Sequence, residues 1–229
     1  MSTIAILPVK RFGAAKQRLG GSLGAGAREA LARAMFSDVL ASLRRVSELD
    51  AVAVVTADRA AEAAALGERV SVLHDTEQAG QSPAALIGIR HAEATGFDRA
   101  LLVPCDTPLL DPAEVAALLR RGSGEGLGVV VVPDRHREGT NALLLSPPGA
   151  IAPSFGPGSL ARHLRAAEAS GLPYDTDEVP SLMLDVDTGE DLRELADALG
   201  RRLGRAPSTR GALRQLQRAH SLRTSPVPA

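Results

Sequence analysis

Four short stretches of the sequence carry residue types suited to phosphate and to a divalent cation. The first, Pro8-Val9-Lys10-Arg11-Phe12-Gly13-Ala14-Ala15-Lys16-Gln17-Arg18-Leu19-Gly20-Gly21, puts Lys10, Arg11, Lys16 and Arg18 in one loop without an acid. Four cations held apart from counter-charges repel one another. A triphosphate relieves that repulsion, and glycines let the backbone approach it closely. The G-x-x-x-x-G-K-[ST] order of a Walker A loop is absent. The second, Leu102-Val103-Pro104-Cys105-Asp106-Thr107-Pro108, ends an apolar run on an aspartate and a proline turn. Asp106 is thereby set to present its carboxylate at a sheet edge. Cys105 reads as a small buried residue, since no neighbour would lower its pKa.

The third, Leu184-Asp185-Val186-Asp187-Thr188, places carboxylates at i and i+2 of an extended segment, pointing the same way. That arrangement is costly unless a cation sits between them. Mg²⁺ takes carboxylate oxygens and completes its shell with water and substrate phosphates. Asp106 converging on Asp185 and Asp187 is therefore the expected metal site. The fourth joins Gly139-Thr140-Asn141 to Phe155-Gly156-Pro157-Gly158-Ser159. Thr140 precedes a strand and Ser159 opens a helix whose free N–H groups suit an anion. Together they are expected to hold the phosphate or carboxylate of a second substrate. Each stretch also has a plainer reading: a solvated basic loop, a helix-capping Asp, two solvated acids, and ordinary turn residues. His163, on the helix after Ser159, is within reach of the second substrate, but a surface histidine is the preferred reading.

The elements that would position these residues alternate along the chain. Continuously apolar runs predict strands over Ile4–Val9, Val52–Thr56, Val70–His74, Ala100–Pro104, Gly128–Pro133, Asn141–Leu145 and Met183–Val186. Amphipathic stretches predict helices over 26–48, 59–67, 82–95, 111–121, 158–170 and 189–203. The pattern implies βαβ units around a largely parallel sheet buried on both faces. In such sheets ligands collect beyond the carboxyl ends of the strands, where the four stretches fall. Asp111-Pro112-Ala113-Glu114 and Thr188-Gly189-Glu190-Asp191 read as helix starts. Gly122-Ser123-Gly124-Glu125-Gly126 reads as a flexible connection.

The composition narrows the class. The chain has 229 residues, 45% of them apolar, which suits one large α/β domain over 1–204. Four Phe, one Tyr and no Trp leave few stacking platforms for single-stranded nucleic acid. One cysteine rules out an internal disulfide and a Cys-rich zinc site. No apolar run approaches a membrane span and the start lacks a signal peptide's features, so a cytoplasmic enzyme is expected. Seven arginines and no acid follow Gly200. Residues 1–199 therefore carry −8, and the whole chain −1. The acidic body argues against nucleic-acid binding. Residues 205–229 are expected to form a basic tail, helical over Arg210–Ala219 and then disordered. A homodimer is compatible with the sequence.

In their order, LPVK…AKQRL, the Asp of CDTPLL, GTNALLL, FGPGS and LDVDTGEDL resemble the CofC/FbiD family over roughly residues 4–195. These are 2-phospho-L-lactate or phosphoenolpyruvate guanylyltransferases of coenzyme F-420 biosynthesis. The resemblance implies a three-layer nucleotide-diphospho-sugar-transferase-like fold, with GTP as donor and a small phosphorylated carboxylic acid as acceptor. It assigns Mg²⁺ to Asp106, Asp185 and Asp187, and the acceptor to Thr140, Gly156 and Ser159. The nucleotide falls to Pro8, Val9, Lys10, Gly80, Ser82 and Asp106. Where the family has a Gly-Leu-Asn turn, this chain reads Gly80-Gln81-Ser82-Pro83. The expected chemistry is attack by the acceptor's phosphate on the α-phosphorus of GTP, with Lys10, Lys16, Arg18 and Asp106 as the catalytic set. Other nucleotidyltransferases on a sugar phosphate or molybdenum cofactor, a nucleotide-sugar glycosyltransferase, and an inactive nucleotide-binding regulator are the alternatives.

Overall fold

A computed structural model describes residues 1–124, 126, 128–201 and 204–224, the last six (219–224) by backbone alone. The first strand, β1 (Thr3–Val9), is buried along its whole length. It lies inside a seven-stranded sheet of order β3-β2-β1-β4-β6-β5-β7. The others are β2 (Ala51–Thr56), β3 (Ser71–His74), β4 (Arg99–Leu102), β5 (Val129–Pro133), β6 (Thr140–Leu145) and β7 (Tyr174–Thr176). Parallel pairing joins β1 to β2 and β4, β2 to β3, and β5 to β7. Strand β6 runs antiparallel to both its neighbours, β4 and β5.

Successive residues of β1 serve opposite faces, as the two-residue period demands. Ala5, Leu7 and Val9 join a core with Phe36, Val39 and Leu40 of helix α1 (Ala25–Leu43) and with apolar residues of α2 (Arg59–Gly67) and α4 (Pro112–Gly124). Ile4 and Ile6 join the opposite core with Ala85 and Ile89 of α3 (Gln81–Ala94) and Ala167 of α5 (Ser159–Ser170). Helix α3 lies so close to β1 that a Cβ on Gly88 would stand 2.2 Å from Ile6 Cγ2. The four valines of β5 are all buried, as their unbroken apolar run predicts.

A third core gathers Leu31 and Met35 of α1 with Leu184 and Val186 of the segment before α6 (Gly189–Arg201), with Leu195 and Leu199 of α6 itself, and with Leu213 of α7 (Pro207–Thr224). Asp38 of α1 caps α7, accepting from Ser208 N at 3.1 Å and Thr209 N at 2.7 Å. The basic C-terminal stretch is thus helical from Pro207 and docked on α1.

Several boundaries differ from expectation. Met183–Val186 is not a strand. Its carbonyl and amide groups go to loops instead, Met183 O to Arg135 N and Val186 N to Asp106 O. It crosses the end of the sheet, and the edge place beside β5 belongs to β7. The helix predicted to 48 ends at Leu43, where Arg45 N and Val46 N turn back onto Ser42 O and Leu43 O. The expected flexible run at 122–126 is helical through Gly124, and Glu125 lies outside the described residues. Residues 202–203 of the predicted sixth helix and the Ser/Pro-rich end at 225–229 also lie outside them. Among the described residues no helix is long and apolar enough to cross a membrane.

Candidate active site

A cleft of about 330 Å³ opens beyond the carboxyl ends of β1, β3 and β4. The loop after β1 forms one wall. It is pinned by Asp58, which caps α2 through Ala60 N and Ala61 N and accepts Phe12 N at 2.9 Å. Lys16 follows in the left-handed region at φ 56°, a costly place for a side chain with a Cβ. That backbone turns its ammonium inward, where the side chain is 7% exposed. Nζ donates to Asp106 Oδ2 at 2.5 Å and to Asp187 Oδ1 at 2.9 Å. Burial works against the lysine's charge, but Asp106 and then Asp187 outweigh it and hold its pKa above the ordinary value. Arg18 stands 3.9 Å from Asp187.

The structure therefore departs from a loop of four unpaired cations. Lys10 and Arg11 remain exposed, whereas Lys16 already holds two acids. Pro8, Val9, Lys10, Lys16, Arg18, Gly80, Asp106 and Asp187 all line the cleft. Part of Cys105 reaches the surface. Its thiol is nonetheless pushed up to about 12, by burial first and then by Asp106, so it is no nucleophile at neutral pH.

The acids are set by different means. Asp187 sits at a helix start whose capping is reciprocal. Asp191 Oδ2 accepts Asp187 N at 2.9 Å and Thr188 N at 2.6 Å, and Asp191 N returns to Thr188 Oγ1 at 3.3 Å. Arg135 in turn grips Asp191 at 2.5 Å. Asp185 turns to Asn141, whose Nδ2 donates to it at 3.2 Å and to Leu182 O at 2.8 Å. Its carboxyl is raised to about 6 by burial and then by Asp106, with a smaller contribution from Asp187. The three acids thus share one neighbourhood, with Asp106 and Asp187 meeting on Lys16.

The donor set is the kind a hard divalent cation takes, and Asp106 Oδ1 is buried with no hydrogen-bond partner. Among the described residues, however, no three His, Cys, Asp or Glu side chains form a ready metal-holding group.

The residues expected for the second substrate gather nearby, around a histidine. His163 is fully buried, not a surface residue. Its Nε2 accepts Ser154 N at 2.8 Å, so the proton lies on Nδ1, which meets Thr140 Oγ1 at 2.9 Å. Burial, then the nearby Arg162, pushes its pKa down to about 4, leaving a neutral ring. Ser159 is buried, and its N–H and that of Leu160 are used by Gly156 O and Glu138 O. Those two amides are not free for an anion. Ser82 does not line the cleft; its Oγ accepts Phe155 N at 2.8 Å, tying the start of α3 to the loop bearing Gly156. Gly156 itself sits at φ 104° with open space where a Cβ would stand.

Sequence reasoning missed Asp75, Gln81, Asn141 and the pair Arg135–Asp191. Asp75 and Gln81 line the cleft. Asp75 directly follows β3, so the rule that selected Asp106 would have found it. Asp191 was in view as the fourth residue of a capping pattern, but its hold on Asp187 is a tertiary fact.

Comparison with known proteins follows the same lines. Residues 3–217 match the family model described as guanylyl transferase CofC like. A phosphoenolpyruvate guanylyltransferase of Conexibacter woesei is 50% identical over 226 residues, covering 99% of each chain. A 2-phospho-L-lactate guanylyltransferase of Methanothermobacter thermautotrophicus is 35% identical, covering 85% of this chain and 84% of its own. A solved structure from Desulfovibrio desulfuricans, described as a nucleotide-diphospho-sugar transferase, superposes with TM-score 0.75 at 21% identity, covering 96% and 99%.

Proposed function

The chain belongs to the CofC-like guanylyl transferases, and from that premise we propose that it transfers GMP from GTP to a small phosphorylated acid, releasing pyrophosphate. Phosphoenolpyruvate is the proposed acceptor, after the relative that is half identical across nearly the full chain; 2-phospho-L-lactate is the second candidate. The step belongs to coenzyme F-420 biosynthesis and takes place in the cytoplasm. The observation that carries this reading is the meeting of Lys16, Asp106 and Asp187 under a basic loop at one end of a nucleotide-sized cleft.

In this reading the acceptor's phosphate oxygen attacks the α-phosphorus of GTP while the bond to the β-phosphate oxygen breaks. A phosphate monoester is already largely ionised at neutral pH, its second pKa being about 6. No general base is needed, which suits a site whose buried histidine is engaged at both nitrogens. The chain's work is alignment and charge balance. Lys10 and Arg18 reach the β- and γ-phosphates, and Lys16 shares its protons between the carboxylates and the charge growing on the leaving group. Thr140, with Gly156 and Ser159, seats the acceptor. Asp106 and Asp187, with Asp185 beside them, would hold Mg²⁺, which when bound would supply positive charge to the phosphate oxygens.

The test is pyrophosphate release with GTP, ATP and CTP crossed against phosphoenolpyruvate, 2-phospho-L-lactate and 3-phosphoglycerate, with product mass checked. Release with GTP and one acid is expected. Folded protein that binds GTP yet yields no pyrophosphate with any acid would overturn the reading.

A further inference from the structure

Beyond the acids already assigned, the cleft holds one more carboxylate, Asp75. It follows β3 directly, and its residue is only 7% exposed. Oδ1 accepts Gln78 N at 3.0 Å. No described residue donates to Oδ2, and no described lysine or arginine pairs with Asp75. Oδ1 is held by the turn, and Oδ2, which is not among the buried atoms, is left open to accept donors from a ligand in the cleft. The carboxylate's place in the sheet says which part of a ligand that would be. In the order β3-β2-β1-β4, Asp75 lies three strand spacings from Asp106, roughly 14 Å at about 4.8 Å each. With the phosphates between β1 and β4, a nucleotide laid across the strand ends brings its base to Asp75.

We infer that Asp75 is the residue that reads the base, accepting N1–H and the 2-amino group of guanine on its two oxygens. The inference rests on the nucleotide reading proposed above. Guanine alone among the common bases offers two adjacent N–H donors on that edge, matching a carboxylate's paired acceptors. Adenine presents the unprotonated N1 there and cytosine the unprotonated N3, each a lone pair facing the carboxylate. A site built around a buried polar group rejects ligands that leave it unpaired far more strongly than an apolar pocket rejects a misfit. This gives the chain a source of guanine selectivity that does not pass through Ser82, whose hydroxyl is engaged with Phe155 N.

Titration calorimetry of the full chain with GTP, ITP, N1-methyl-GTP and ATP tests the assignment. ITP lacks only the 2-amino group. The wild type is expected to bind GTP at least ~10-fold more tightly than ITP, and ~100-fold more tightly than N1-methyl-GTP or ATP. Asp75→Asn keeps an Oδ1 acceptor for Gln78 N but swaps the second oxygen for an amide. In it the GTP-to-ITP ratio should fall to within about threefold. Equal binding of GTP and ITP by the wild type would overturn the inference. So would an Asp75→Asn variant that keeps the wild-type ratio, or that weakens every nucleotide equally, as a purely structural or ribose-binding role would. If that variant does not fold, Asp75→Ser, which keeps a side-chain oxygen for the turn, takes its place in the same series. A guanine preference in a protein that makes no product would sink the proposed reaction and leave the role of Asp75 standing.

Discussion

At the scale of single residues, Lys16 and His163 carry separable roles. Lys16 holds two acids from a left-handed backbone that glycine adopts without strain. Lys16→Gly therefore removes the ammonium while leaving the turn at ease. Turnover is expected to fall ~100- to 1000-fold with secondary structure intact by circular dichroism; near-normal turnover would remove Lys16 from the chemistry. His163 should act through Thr140. His163→Ala is expected to raise the KM for the acceptor ~10-fold with the KM for GTP unmoved, and His163→Gln to recover part of that loss. The ring also predicts a pH dependence. Its pKa is pushed down to about 4 in the fold, against 6.5 ordinarily. Between those values the unfolded chain takes up a proton that the folded one refuses. Stability therefore rises with pH across this window and is lost as pH falls through it. The full effect is at most about 3 kcal/mol. Urea titrations from pH 4 to 7 should show a shallower acid limb for His163→Gln than for the wild type.

At the scale of elements, the alternation of apolar runs and amphipathic stretches made β1 to β6 and helices α1 to α6 legible, because the inner strands β1, β4, β5 and β6 are buried along their length and helices cover both faces of the sheet. Met183–Val186 was not. Its composition is that of a strand, but strand identity needs a free edge, and β7 holds the one beside β5. What that segment does instead depends on Arg135, Asp106 and Asn141, all distant in sequence. Asp106 and the basic loop were legible by type and by position after strands, and Asp187 by type alone, since the segment before it is not a strand. The pairing of Lys16 with the acids was not, since charge type does not report who meets whom. The start of α6 shows what such a contact adds. Asp191→Ala removes the acceptor of Asp187 N and Thr188 N and leaves Arg135 with Glu194 but without Asp191. Turnover should drop ~10-fold or more, with stability lower by about 1–2 kcal/mol. Unchanged turnover in a destabilised variant would confine Asp191 to capping. At the other end of the chain, Asp38→Ala uncaps α7 and should cost about 1–2 kcal/mol in urea unfolding without changing the GTP-to-ITP ratio.

At the scale of the whole molecule, one strand runs against the others. Because β6 is reversed, Thr140 and Asn141 at its start lie at the same end of the sheet as the ends of the parallel strands, from which the cleft opens. The reversal also separates the molecule in time. Strands β5 and β6 form a hairpin closed by residues 134–139, while the pairing of β1 with β4 joins residues 96 apart in sequence. Short loops close at little entropic cost and long ones lag. Pulse-labelled hydrogen exchange during refolding should therefore protect amides of β5 and β6 before those of β1 and β4. The half of the site that seats the acceptor would then be built first, and the half that grips the nucleotide would assemble onto it.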